Sequence, residues 1–142
     1  MKVREIMTEN PACCTPEQTV REAARLMAQN DCGSIPVVEE STRRLLGVVT
    51  DRDLAIRVLA EGRGPDTPVR EAMTPDPVTC SPDDDVDKVE RLMAERQVRR
   101  IPVVENGRVV GVVAQADLAL HPNAVSDREV GHLVEEISQP TR

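Results

Sequence analysis

The sequence contains no tryptophan, tyrosine or phenylalanine. Without an aromatic ring it has no platform for stacking bases. Positive charge is also in short supply: 18 basic residues face 25 acidic ones, for a net charge of −7. That balance argues against general binding to nucleic acid or anionic membranes. No apolar run approaches the roughly 20 residues of a membrane span, and the opening MKVREIMTEN has no apolar stretch of signal-peptide length. These absences give the expectation of a soluble, cytoplasmic protein. Cysteine is sparse as well. Cys13, Cys14, Cys32 and Cys80 show no C-x-x-C spacing and both histidines, His121 and His132, lie far off in the tail. A zinc site is therefore weakly supported and no metal is expected. A cytosolic setting disfavours structural disulfides. The cysteines read as small core residues, with redox or metal roles as the alternative. No Ser/His or Cys/His arrangement has support, so the chain does not read as an enzyme.

What the sequence does contain is one unit written twice. Ile35-Pro36-Val37-Val38 recurs as Ile101-Pro102-Val103-Val104, VREIMTENPACCTP as VREAMTPDPVTCSP, and LLGVVTDRDLA as VVGVVAQADLA. Val3 pairs with Val69, Met7 with Met73 and Pro36 with Pro102, each by 66 positions; beyond the loop the offset is 64, as for Gly47 with Gly111 and Asp53 with Asp117. The two-residue difference lies in one turn, EESTRR in the first copy and ENGR in the second. Asn106-Gly107 predicts a type I′ hairpin turn, because both central positions need positive φ.

The β-branched IPVV runs have the composition of buried strands. Val3 to Met7 reads as a helical turn, Thr8 to Pro11 as a break, and Ala12-Cys13-Cys14 as a brief strand. A helix from Thr19 buries Val20, Ala23, Ala24, Met27 and Ala28, with Thr19 and Glu22 at capping-box spacing. A second helix runs from Asp51 to about Glu61. The second copy repeats the order, with Asp85 as N-cap and Val86, Val89, Leu92 and Met93 buried. Asp83-Asp84-Asp85 reads as a turn into that helix, where the dipole favours acids, rather than as a metal cluster. The organisation is a first repeat over 1–61, a Gly/Pro linker over 62–68, a second repeat over 69–120 and a tail over 121–142. In the tail, Ser126 to Ile137 reads as a helix, capped by Ser126 with Glu129, with Val130, Leu133, Val134 and Ile137 on one face. Each half, near ~65 residues, is marginal alone, so the halves are expected to bury apolar faces against each other.

The doubled order of an MT-containing lead-in, a TP/SP turn, a helix carrying LM, IPVV and GVV-x-x-x-D resembles the tandem CBS (cystathionine-β-synthase) domain pair, over about residues 1–120. The TDRD helix, the linker and QVRRIPVV resemble its small stand-alone bacterial or archaeal members. The resemblance implies a mixed α+β fold, two βαββα repeats related by a pseudo-twofold axis. It implies further association into disc-like homodimers and an adenosine-containing ligand (AMP, ADP or ATP, with S-adenosylmethionine possible) in clefts between the repeats. It implies a sensor acting on a protein partner.

By the same resemblance, Thr50 and Asp53 hold phosphate and ribose at a strand-to-helix junction. The chemistry suits them: a carboxylate accepts vicinal hydroxyls, and N–H groups at a helix start attract phosphate. The plainer reading makes them a capping pair. In the second repeat Asp117 is kept but Ala114 replaces the hydroxyl, so the sites are expected to be unequal. Arg99 and Arg100 stand where the first repeat has Gly33 and Ser34, and serve either as phosphate ligands or as surface ion pairs. Ile35, Ile101, Val78 and Ala12 are the aliphatic candidates around adenine, beside Pro36 and Pro102. The alternative from another class is a ligand-independent assembly protein using the same scaffold.

Overall fold

A computed structural model describes residues 1–120; the helix expected over Ser126 to Ile137 lies outside them. The described chain forms two compact units. Among the described residues, the first-repeat unit comprises Ala12–Pro77 with Gly107–Val109, and the second-repeat unit comprises Met1–Pro11, Val78–Asn106 and residues 110–120.

In the first-repeat unit, Thr19 caps helix α1 (Val20–Asn30) by accepting from Glu22 N at 3.2 Å. The expected reciprocal bond to the Thr19 backbone N–H does not form; the Glu22 carboxylate accepts from Gln18 Nε2 at 2.8 Å and, more distantly, from the Thr19 hydroxyl at 3.4 Å. Helix α1 buries Val20, Ala23 and Met27, with Leu26 packed alongside. Ala24 and Ala28, expected on that stripe, are exposed, since helical rotation turns them away from the arc of Val20, Ala23, Leu26 and Met27 that faces the core. Asp31 ends the helix in the left-handed conformation, φ 49°. Strands β2 (Ser34–Val38) and β3 (Leu45–Thr50) then pair antiparallel, with a bulge between Val37 and Val38. Helix α2 starts at Asp51–Asp53 and widens to a π-helix over Leu54–Leu59.

The second-repeat unit repeats the plan. Asp85 caps α3 (Val86–Arg96) by accepting from Asp87 N at 2.9 Å, and Val86, Val89 and Met93 are buried with Leu92 against the same core. Strands β5 (Arg100–Glu105) and β6 (Arg108–Ala114) are joined by Asn106 and Gly107 at φ 54° and 79°, the positive pair that a type I′ turn demands. Helix α4 follows at Gln115–Leu120.

Both three-stranded sheets are completed by the other repeat's lead-in. Strand β1 (Thr8–Glu9), in a stretch expected only to break the chain, pairs with β6, and β4 (Thr74–Pro75) pairs with β3. Gly111 and Gly47 make room for this. A Cβ at Gly47 would stand 2.7 Å from the Thr74 carbonyl oxygen, and one at Gly111 2.9 Å from that of Thr8. The sequence repeat and the compact unit therefore differ by an exchange of lead-ins. The strand expected at Ala12-Cys13-Cys14 reduces to one parallel bridge, Cys14 with Val37, matched by Cys80 with Val103. Cys14 with Val37 and Val69, and Cys80 with Val103 and Val3, occupy the two cores. No helix among the described residues is long and apolar enough to cross a membrane.

Candidate functional site

The junction of β3 and α2 is tied by reciprocal polar contacts. Thr50 Oγ1 accepts from Asp53 N at 3.0 Å, and Asp53 Oδ2 accepts from Thr50 N at 2.9 Å. This reciprocal pair fixes the first turn of the helix and the rotamers of both side chains. Asp53 is nevertheless not used up. Its side chain is 12% exposed, and among the described residues Oδ1 has only long neighbours, Thr74 Oγ1 at 3.4 Å and Arg57 Nε at 3.8 Å. A carboxylate oxygen in that state retains the capacity to accept hydroxyl donors.

Ser34 lies directly across the ladder from Thr50, and Gly33 O accepts from Asp51 N at 2.9 Å. A Cβ at Gly33 would stand 2.6 Å from Asp51 Oδ2, so glycine there keeps the loop against the helix start. Gly33, Ser34, Thr50 and Asp53 are thus brought together. Ala12 is half-buried, Pro36 is buried, and Ile35 is 1% exposed with its side chain in the core.

The corresponding junction in the second-repeat unit is simpler. Asp117 Oδ2 accepts from Ala114 N at 2.7 Å, and Ala114 offers no hydroxyl in return. Arg99 O accepts from Gln115 N at 2.8 Å, matching the Gly33–Asp51 bond. The Arg99 side chain is exposed. Arg100, half-buried at the start of β5, has a buried Nε with no hydrogen-bond partner among the described residues. An unpaired guanidinium N–H costs free energy in a buried position, and an anion on this arginine would relieve that cost. Among the described residues neither Arg99 nor Arg100 is in an ion pair. Ile101 is fully buried, Pro102 is buried, and Val78 packs half-buried on the core.

Sequence reasoning missed Arg57 and Thr74. Arg57 sits at i+4 from Asp53 on the same helix, a legible spacing. Thr74 comes from the second repeat's lead-in, and nothing local in the sequence predicts that strand exchange.

The four cysteines remain thiols. Burial, and next the neighbouring Cys13, push Cys14 up to about 12; burial first, then Asp84, does the same for Cys80. Cys13 is raised by burial against the pull of Arg43, whose Nη2 approaches its Sγ at 3.3 Å. At neutral pH these groups are protonated, unlike reactive thiolates. Among the described residues no group of three or more histidines, cysteines or acids is placed to hold a metal ion.

The CBS domain family matches this chain twice, over residues 3–60 and 69–122, and the chain belongs to that family. The CBS domain-containing protein YhcV of Bacillus subtilis (strain 168) is 42% identical over 136 residues, 96% of this chain and 94% of that one. Hypoxic response protein 1 of Mycobacterium tuberculosis is 34% identical over 119 residues, 83% of this chain and 82% of that one. A crystal structure of Hypoxic Response Protein I with two coordinated zinc ions matches with a TM-score of 0.78 at 34% identity, covering 85% of this chain and 98% of that one. The CBS domain pair of protein MJ0100, in complex with 5′-methylthioadenosine and S-adenosyl-L-methionine, matches with a TM-score of 0.75 at 27% identity, covering 87% and 96%.

Proposed function

We propose that this protein is a cytoplasmic regulatory module, not an enzyme. It binds an adenosine-containing ligand (AMP, ADP, ATP or S-adenosylmethionine) and passes the signal to a protein partner. The observation that carries the reading is the Asp53 carboxylate: one oxygen is fixed by the Thr50 N–H and the other is left to accept. A ribose offers the vicinal hydroxyl donors such an oxygen takes, and the hydroxyl of Thr50 with the N–H groups of the helix start suits a phosphate. Arg100, with its orphaned Nε, is a second anion contact in its own unit. The adenosine compounds held by the MJ0100 domain pair support the ligand class. Equivalent positions on the second helices, Ile56 at 45% and Leu120 at 75% exposure, with Leu59 at 74%, offer apolar surface for a homodimer.

The ligand-independent assembly reading is favoured by one observation, the missing hydroxyl at Ala114. A near-ultraviolet spectrum of purified protein separates the two. With no aromatic residue, the chain contributes almost nothing there, so a co-purified adenine compound would dominate. Denaturation, filtration and mass measurement then identify it. The melting temperature with millimolar AMP, ADP, ATP or S-adenosylmethionine is the companion test. The sensor reading expects at least one to raise it in wild type and not in Asp53→Asn. No shift with any of the four, and no co-purified adenine compound, leaves the assembly reading.

A further inference from the structure

Arg57 does more than face Asp53. Its Nε stands 3.8 Å from Asp53 Oδ1, while its Nη1 donates to the Met73 carbonyl at 3.0 Å. The next residue, Thr74, turns its hydroxyl toward the same Oδ1 at 3.4 Å. Thr74 is held in the sheet opposite Val48, and its carbonyl lies over Gly47, where a Cβ would meet it at 2.7 Å. One guanidinium fork thus spans the carboxylate and the backbone of the lead-in strand, all within the first-repeat unit. Neither approach to Oδ1 is a close hydrogen bond, so the oxygen is oriented by charge without being saturated.

From this network we propose that Arg57 and Thr74 are positioning residues for the Asp53 carboxylate. They aim Oδ1 at a vicinal diol and link its occupancy to the Met73–Thr74 strand. The inference rests on the ribose-binding reading of Asp53 and adds to it a source of specificity and a route for the signal. A ligand hydroxyl arriving at Oδ1 changes what Arg57 and Thr74 attract, and Arg57 already grips the strand backbone. The second repeat lacks the device in this form. His121 takes the place of Arg57 in the sequence register, and among the described residues Asp117 has no cation in an ion pair.

The test is calorimetric titration of the full chain with AMP and with 2′-deoxy-AMP, on wild type, Asp53→Asn, Arg57→Met, Arg57→Lys and Thr74→Val. Arg57 is about half exposed on its side chain, and circular dichroism of each variant confirms that it folds. Wild type should prefer the ribonucleotide by roughly tenfold or more, the value of a hydrogen bond to a charged group. Arg57→Met should lose most of that preference, and Arg57→Lys should restore part of it. Amide exchange in the segment around Thr74 should slow with AMP in wild type but not in Arg57→Met. If Asp53→Asn abolishes the preference and both Arg57→Met and Thr74→Val retain it, the positioning role is overturned and the Asp53 reading stands. If wild type binds neither nucleotide and none of ADP, ATP or S-adenosylmethionine raises its melting temperature, both fall.

Discussion

In the first-repeat unit the third strand hands over to its helix through Thr50, whose hydroxyl accepts from Asp53 N. In the second-repeat unit the same handover runs through Ala114, which can offer only backbone. Around these junctions the two units are alike: an IPVV strand at the centre, a helix burying a valine–methionine stripe, and a two-residue strand borrowed from the other repeat. The lesson is that scaffold and site answer to different residues. Burial of the repeated apolar positions reproduces the fold twice, whereas one hydroxyl and one arginine separate a tied, half-open carboxylate from a merely capped one.

If the scaffolds are equivalent, the largest changes should be equal in both. Ile35→Ala and Ile101→Ala each empty a fully packed position and should each cost about 2–5 kcal/mol in denaturant unfolding. A clear inequality would show that the two cores do not share the load. Smaller, at about 1–3 kcal/mol, is the overpacking expected from Gly47→Ala and Gly111→Ala, which push a methyl against the borrowed strand. Loss of amide-exchange protection should accompany them, at Thr74 for the first and at Thr8 for the second. Protection left intact would mean that the strand exchange tolerates a side chain.

The capping contrast comes next. Thr50→Ala should cost about 0.5–2 kcal/mol. Ala114→Thr, which installs the missing acceptor for Asp117 N, should recover stability of up to about 1 kcal/mol. Smallest at neutral pH is the effect of the two buried thiols. Cys14 and Cys80, shifted from 9.0 to about 12, retain protons that the unfolded chain releases. Stability should therefore be indifferent to them below pH 9 and fall as pH rises from there toward 12. Stopped thiol labelling should find both protected in the folded protein at pH 8, and fast labelling of either would contradict their place in the core.

Much of this was legible before the structure. The duplication, the I′ turn at Asn106-Gly107 and the pairing of Thr50 with Asp53 all rest on local rules, in which spacing alone dictates the geometry. The exchange of lead-ins was not legible. An internal offset shows that Thr8 and Thr74 are equivalent, but equivalence does not say which repeat each strand joins. The glycines were visible in GVV, yet their reason, the close passage of a carbonyl oxygen, belongs to that exchange. The Glu22 carboxylate did not close the capping box; its oxygens take the Gln18 amide, one turn earlier, and the Thr19 hydroxyl rather than the Thr19 N–H. Arg100 was visible as a charge, and only burial exposes its Nε as unpaired.

The inequality of the two aspartates is the centre of the account, and nucleotide titration of Asp53→Asn against Asp117→Asn tests it most directly. Asn keeps an acceptor for the backbone N–H at each junction, so both variants should fold. Asp53→Asn should weaken AMP binding by roughly tenfold or more, the loss of hydrogen bonds to a charged acceptor, while Asp117→Asn leaves it nearly unchanged. Equal losses in the two variants, or a larger loss at Asp117, would contradict it.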